Sequence, residues 1–243
     1  MRGLTAADLL GVYEQGRRVG GARRALVMLE ASGDAPDPGP LASISVGERN
    51  SMLMRLREAT FGPEVHGVAT CPGCGERLEV SFNVGDADRS ESGHSNDWRL
   101  LEADGFEIRY RLPTASDLVA VEGLPEGADG RRVLIERCVE VRRVGRRRSA
   151  SRLPSALIER VGEEIARADP EAIADVQLAC PSCGQEHAVM FDIAAFLWSE
   201  IEARAPRLLT EVHELASAYG WGEGEILALS PWRRRAYLEM VGA

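Results

Sequence analysis

The residues most capable of chemistry lie in two short stretches, Cys71-Pro72-Gly73-Cys74-Gly75 and Cys180-Pro181-Ser182-Cys183-Gly184. Each is CPxCG, the shape of a zinc knuckle. Two thiolates separated by two residues can grip one metal ion, while Gly75 or Gly184 permits the tight turn that aims backbone N–H groups at the sulfurs. Zinc takes four ligands in a tetrahedron, so one knuckle is half a site. The economical arrangement has Cys71, Cys74, Cys180 and Cys183 sharing a single Zn²⁺. The alternatives are free thiols, or knuckles completed by a second copy of the chain. Four thiolates leave no open coordination position, so the metal would be structural, and a site drawn from distant segments couples folding to metal.

Both copies read strand, knuckle, strand. Apolar residues alternate at Leu78, Val80, Phe82 and Val84 and at Val189, Phe191 and Ile193, the period of half-buried β-hairpins. The chain between the knuckles is then an insertion whose ends meet. The fifth cysteine, Cys138, falls in the apolar run Val133, Leu134, Cys138, Val141 and reads as a buried small hydrophobe. His187, just past the second knuckle, reads as a hydrogen-bonding neighbour of the site rather than a ligand.

Catalysis finds little support. Four histidines are scattered at 66, 94, 187 and 213, with no nucleophile–base pattern, P-loop or dinucleotide fingerprint. The chain of 243 residues carries 29 Lys and Arg against 38 Asp and Glu, a net charge of −9, which argues against a general nucleic-acid binder. Five cysteines, four of them in metal spacing, suit a reducing compartment. The opening Met1-Arg2-Gly3-Leu4 resembles no signal peptide, and no apolar run reaches the roughly 18 residues of a membrane span, so a soluble cytoplasmic protein is expected.

The elements that must position the knuckles can be read from caps and breakers. Thr5 with Asp8 opens a helix over residues 5 to 17, Gly20-Gly21 breaks it, and Ala22 to Ala31 forms a second. Gly33 to Pro40 reads as a turn-rich linker, and Ser45 with Glu48 is a capping box for a third helix that Gly62-Pro63 stops. Met52, Leu53 and Met54 read as core. Gly85 to Asp97, with Asp86, Asp88, Glu91 and His94, reads as a solvated mobile loop, since its carboxylates match no calcium loop. Asp104-Gly105 predicts a hairpin between Arg99–Glu102 and Phe106–Leu112. Thr114 with Asp117 caps another helix, a further helix passes through Val133 to Val139, and Arg142 to Arg148 reads as an exposed basic loop or a contact for an acidic partner. A helix from Leu153-Pro154 to Ala168-Asp169 carries Leu157, Ile158, Val161 and Ile165 on one face.

After the second knuckle, Ala194 to Ala218 predicts one or two amphipathic helices, with Phe196, Leu197, Trp198, Ile201, Leu208, Leu209, Val212 and Leu215 inward and Pro206 marking a kink or break. The tail adds a short helix and a final helix begun by Ser230-Pro231. Its Trp221, Trp232, Arg233, Arg234, Arg235 and Tyr237 are candidate partner-binding residues, because exposed aromatics and arginines anchor interfaces; the alternative has the aromatics capping the core and the arginines solvated. The fold expected is α+β: a helical segment 1–62, a first knuckle hairpin 63–85, an inserted α+β segment 86–170, a second knuckle hairpin 171–193 and a helical segment 194–243, organised around a split four-cysteine zinc ribbon.

Five motifs together, the "LTAADLL" start, the "LREATFGPEV…CPGCGERLEV" junction, the "LPTASDL" step, the distant "CPSCGQEHAVMFDI" knuckle and the "AYGWGEGEILALSPWRRRAYLEMV" tail, resemble a family of baseplate or hub assembly proteins of contractile phage tails and extracellular contractile injection systems. The resemblance implies a non-catalytic structural or assembly role. The partners it implies are baseplate, hub, spike, sheath or tape-measure proteins, with the protein itself a candidate for incorporation into the particle. The reading that competes with it from the residues alone is a zinc-ribbon module that binds nucleic acid or transcription machinery through Arg142 to Arg148.

Overall fold

The computed structural model describes residues 1–33, 38–83, 97–143, 146–148 and 154–242. Asp86, Asp88, Glu91 and His94, and with them the predicted loop, lie outside the described residues. The architecture is α+β, helical at both ends with small antiparallel sheets between.

Helix α1 (Ala6–Gly16) starts from Thr5, whose side chain and the Asp8 carboxylate form the reciprocal box expected, and α2 spans Gly21–Ala31. Pro38–Pro40, expected in a linker, instead opens a short helix α3 (Pro38–Ser43). Proline's fixed φ suits a first helical turn, and the helix buries Leu41. Helix α4 (Val46–Phe61) is capped by Ser45, which accepts from the Glu48 N–H; the Glu48 carboxylate does not complete the box. A second acceptor comes from far away, because the Asp169 carboxylate takes the Gly47 N–H at 3.0 Å. Only glycine fits there: a Cβ on Gly47 would lie 1.8 Å from Asp169 Oδ1.

Strands β1 (Glu64–Thr70) and β2 (Arg77–Asn83) form the first hairpin. Strands β3 (Arg99–Ala103) and β4 (Phe106–Tyr110) follow, joined by Asp104 and Gly105, both at positive φ as a two-residue hairpin turn requires. Helix α5 (Ala115–Glu122) carries the Thr114–Asp117 box. Helix α6 (Gly130–Cys138) ends one residue before the expected Val139, which begins strand β5 (Val139–Arg143). Here the period changes from helical to two, with Val139 and Val141 both buried against the sheet's helices. The basic run is likewise no simple loop: Arg142 lies in β5, and Arg146–Arg148 return as β6, completing a sheet in the order β3-β4-β5-β6. Helix α7 (Ser155–Ala168) buries Leu157 and Val161 on that sheet. A 3₁₀ turn, Pro170–Ala172, leads into the second hairpin, β7 (Ala174–Ala179) and β8 (Glu186–Phe191).

Helix α8 (Ile193–Tyr219) is continuous through Pro206. The proline sits on the exposed side, where water can satisfy the carbonyl it leaves without an N–H partner. Leu209, expected inward, is 48% exposed, because the buried set Ile201, Ala205, Leu208 and Leu215 falls at intervals of four, three and seven and leaves position 209 off the stripe. Helices α9 (Glu223–Ala228) and α10 (Pro231–Val241) fold back against α8.

The cores explain how the chain holds its two hairpins. The first and last segments share one core, in which Leu9, Leu10 and Val12 of α1, Ala25 to Leu29 of α2, and Leu53 and Leu56 of α4 meet Leu197, Trp198, Ile201 and Leu208 of α8. A second core joins the four-stranded sheet to α6 and α7 through Ile108, Tyr110, Val141, Leu157 and Val161. Between them, the Glu122 carboxylate accepts from the Ala22 N–H at 3.1–3.2 Å and so supplies the cap that Gly20 lacks. Met52 and Met54 pack at the edge of the first core, as expected.

Candidate metal centre

Each hairpin is delivered by a helix of the first core. Helix α4 ends at Gly62, whose φ of 95° turns the chain into β1. Arg57 of α4 donates to the Gly62 carbonyl at 2.7 Å and grips Glu200 of α8 with two hydrogen bonds of 2.8 and 3.0 Å. At the other hairpin, Asp192 caps α8 by accepting from the N–H groups of Ala194 and Ala195. The helices that launch β1 and receive β8 are therefore bolted to each other by a bidentate ion pair.

The hairpins repeat one another in register. Val65 pairs with Phe82 where Ala174 pairs with Phe191, and Ala69 pairs with Leu78 where Leu178 pairs with His187. Equivalent residues also meet across the pair: Phe82 and Phe191 pack edge to face with centroids 5.2 Å apart. This is local two-fold symmetry, and the cysteines obey it. Cys71 Sγ lies 3.7 Å from Cys183 Sγ and Cys74 Sγ lies 3.6 Å from Cys180 Sγ, with all four sulfurs within 4.8 Å of one another. Zn–S bonds of about 2.3 Å put the edge of a tetrahedron near 3.8 Å, so these separations match a shared four-thiolate site and are far beyond a disulfide's roughly 2.05 Å. All four residues that could hold the metal thus come from one chain.

The turns are alike as well. The Cys71 N–H donates to Glu76 O at 2.9 Å and Cys180 N–H to Gln185 O at 3.0 Å, while Gly75 and Gly184, at φ 77° and 72°, return their N–H groups to Cys71 O and Cys180 O. Cys71 and Cys180 are buried beside Leu78 and Leu178, and Cys74 and Cys183 are exposed. Hydrogen bonds from the Cys74 and Gly73 N–H groups hold the Cys71 thiol down at about 6. At Cys74 the Glu76 N–H favours the thiolate, but burial and the other three sulfurs outweigh it and push the thiol up to about 12. Four negative sulfurs in this space would need a cation, and a divalent ion displacing the protons would supply it.

Two neighbours differ from expectation. Both ring nitrogens of His187 are buried and make no hydrogen bond among the described residues, so the expected hydrogen-bonding role beside the site is not seen. Gln185 was not anticipated, yet its side chain covers Gly73, where a Cβ would sit 1.8 Å from Gln185 Oε1. The doubled CPxCG pattern contained the signal, since Gln185 stands where the first copy has Glu76.

The tail residues separate into three groups. Trp221 stacks on Tyr219 at 4.6 Å and meets Tyr237 edge-on at 5.0 Å, closing the α8–α10 corner. Trp232 is 76% exposed, with Arg233 and Arg235 beside it in solvent. Arg234 is a correction to the expected surface group: it is buried, donating to Glu211 at 2.9 Å and to the Leu229 carbonyl at 2.6 Å. Cys138 is buried as expected, 3.7 Å from Asp117 Oδ2, and burial pushes its thiol up to about 12.

Among the described residues no other cluster of metal-ligating side chains occurs, and no helix is long and apolar enough to cross a membrane. No curated protein and no solved structure matches the chain. A family model does, that of the T4 bacteriophage base plate protein, over residues 31–198. The match takes in α4, both knuckle hairpins, the whole insertion and the start of α8, and leaves the α9–α10 tail outside. The stretch it covers is most of the chain and contains the entire cysteine arrangement, so the chain belongs to the T4 bacteriophage base plate protein family.

Proposed function

We propose that the protein is a non-catalytic structural or assembly component of the baseplate or hub of a phage-tail-like contractile particle, closed by one structural Zn²⁺ and acting through protein contacts. The observation that carries this reading is the four-sulfur cluster at tetrahedral spacing within a base plate family chain. Cys71, Cys74, Cys180 and Cys183 would hold the ion, which would fix the two hairpins to each other and offer no open position for a substrate. Sheath, spike, hub and tape-measure proteins are the partner class. Among the described residues nothing in the fold favours the transcription or nucleic-acid reading.

A tagged chain purified from its native cells, with partners sequenced and metal measured in the same eluate, tests both halves. Baseplate, sheath or spike proteins with about one zinc per chain are expected. RNA polymerase or nucleic acid in their place would overturn the reading. Cys74→Ser and Cys183→Ser should lose the stoichiometric zinc, and a variant that keeps its metal would remove the shared site.

A further inference from the structure

A cleft of about 420 Å³ opens at the end of the hairpins away from the cysteines. Its floor is apolar, built from Met54, Phe82, Phe191 and Ile193, and one wall is α4 with Asn50 and Ser51. The other wall is four consecutive residues of β7, Ala174 to Gln177. Side chains of a strand alternate between faces, so four in succession can line a cleft only if it runs along the strand's edge.

Among the described residues that edge is unpaired, since β7 bonds there to β8 alone. The Cys180 N–H points at Gln185 O, and the antiparallel ladder alternates from there. Leu178, Val176 and Ala174 therefore turn their N–H and C=O toward β8, while Gln177 and Asp175 turn theirs into the cleft. Among the described residues these outward groups have no partner. The Asp175 and Gln177 side chains are exposed and likewise make no hydrogen bond or ion pair.

We propose that this cleft takes an extended segment of another subunit of the particle, added as a third strand on β7. Main-chain bonds to Asp175 and Gln177 would fix it, an apolar side chain would enter the Phe82–Phe191 floor, and a Lys or Arg would face Asp175. The charge decides against a second copy of this chain: β7 carries no Lys or Arg, so self-pairing along this edge would leave Asp175 without an opposite charge to face it. The assignment rests on the assembly reading above, and the test separates the two.

Benzoylphenylalanine in place of Gln177 in the full-length protein, irradiated in cells that assemble the particle, maps whatever lies along the edge. The expected product joins Gln177 to one short segment of another tail subunit, with alternating apolar residues and a Lys or Arg. Gln177→Pro removes an outward N–H without touching the β7–β8 ladder, so it should keep its zinc and helix content yet weaken binding of that subunit about tenfold, whereas Gln177→Ala should bind normally. Asp175→Lys should weaken binding as well. Cross-links to the chain itself or to a second copy, or equal binding by the proline and alanine variants, would overturn the proposal. If the protein co-purifies with tail subunits but Gln177 cross-links to none, the cleft assignment fails alone. If it co-purifies with no tail subunit, the assembly reading fails and takes the cleft assignment with it.

Discussion

Asp117 shows how much a single residue can organise. Its carboxylate is fully buried and accepts from Arg111 at 2.5 and 3.0 Å, from Arg137 at 2.7 Å and from the Thr114 N–H at 2.9 Å, joining α5, the end of β4 and α6. Burial alone would raise its pKa, but Arg111, Thr114 and Arg137 more than reverse that and hold it well below the usual carboxylate range. A depressed folded pKa contributes stability that is present above the unfolded value near 4 and is lost as pH falls through the folded one. Asp117→Asn should therefore destabilise the protein at neutral pH by about 3 kcal/mol, the low end for a broken buried pair because Arg137 stays 42% exposed. Urea midpoints between pH 7 and pH 2 check this: the wild type should lose more stability than the variant below about pH 4. A parallel decline would remove Asp117 as the cause. The sequence showed half of the arrangement, the Thr114–Asp117 box, because a cap is local. Arg111 and Arg137 could not be assigned to it, since their meeting depends on how α6 packs behind the sheet.

Among the elements, α8 departs furthest from its local signals. Pro206 predicts a kink or a break, yet the helix runs on, since Leu197, Ile201, Ala205 and Leu208 are buried on both sides of it and hold the axis in place. Proline is about 3 kcal/mol worse than alanine inside a helix, while alanine frees the unfolded chain by up to about 1 kcal/mol. Pro206→Ala should then stabilise by roughly 1–2 kcal/mol, read as a higher midpoint with unchanged denaturant slope. A lower midpoint would mean that the proline shapes the helix for its fit to α1 and α10. The same competition explains α3 and the β5–β6 hairpin. Pro38 and the arginine run look like punctuation and solvated charge, and only the neighbours they meet, the core around Leu41 and the paired strand β4, make them helix and strand. The knuckle strands, whose alternation and turns are local, were legible up to Phe191; Ile193, read as strand, instead begins α8 behind the Asp192 cap, and Val84 lies outside the described residues.

At the scale of the whole molecule the ion that the four cysteines would bind and the helical core hold different things. Two-stranded hairpins are marginal alone in water, and the small cluster of Cys71, Leu78 and Cys180 is too little to keep two of them folded. The bundle of α1, α2, α4 and α8 buries Met28, Leu29, Leu53, Leu56, Leu197 and Ile201 completely and takes nothing from the cysteines. From the knuckle spacing alone, folding as a whole would be expected to depend on the metal; the shared core limits that dependence to the hairpins. Stripping metal from the folded protein with a chelator at neutral pH should therefore raise amide exchange across residues 64–83 and 174–191, with little loss of helical circular dichroism. The cleft between β7 and α4 would open with them, which makes metal content a condition for any partner that docks there. Lowering the pH through the range where the thiolates take up protons should release the ion and produce the same exchange pattern. Loss of the helical signal in step with the metal would show a single cooperative unit in which the sulfurs, and not the Arg57–Glu200 clasp, hold α4 to α8.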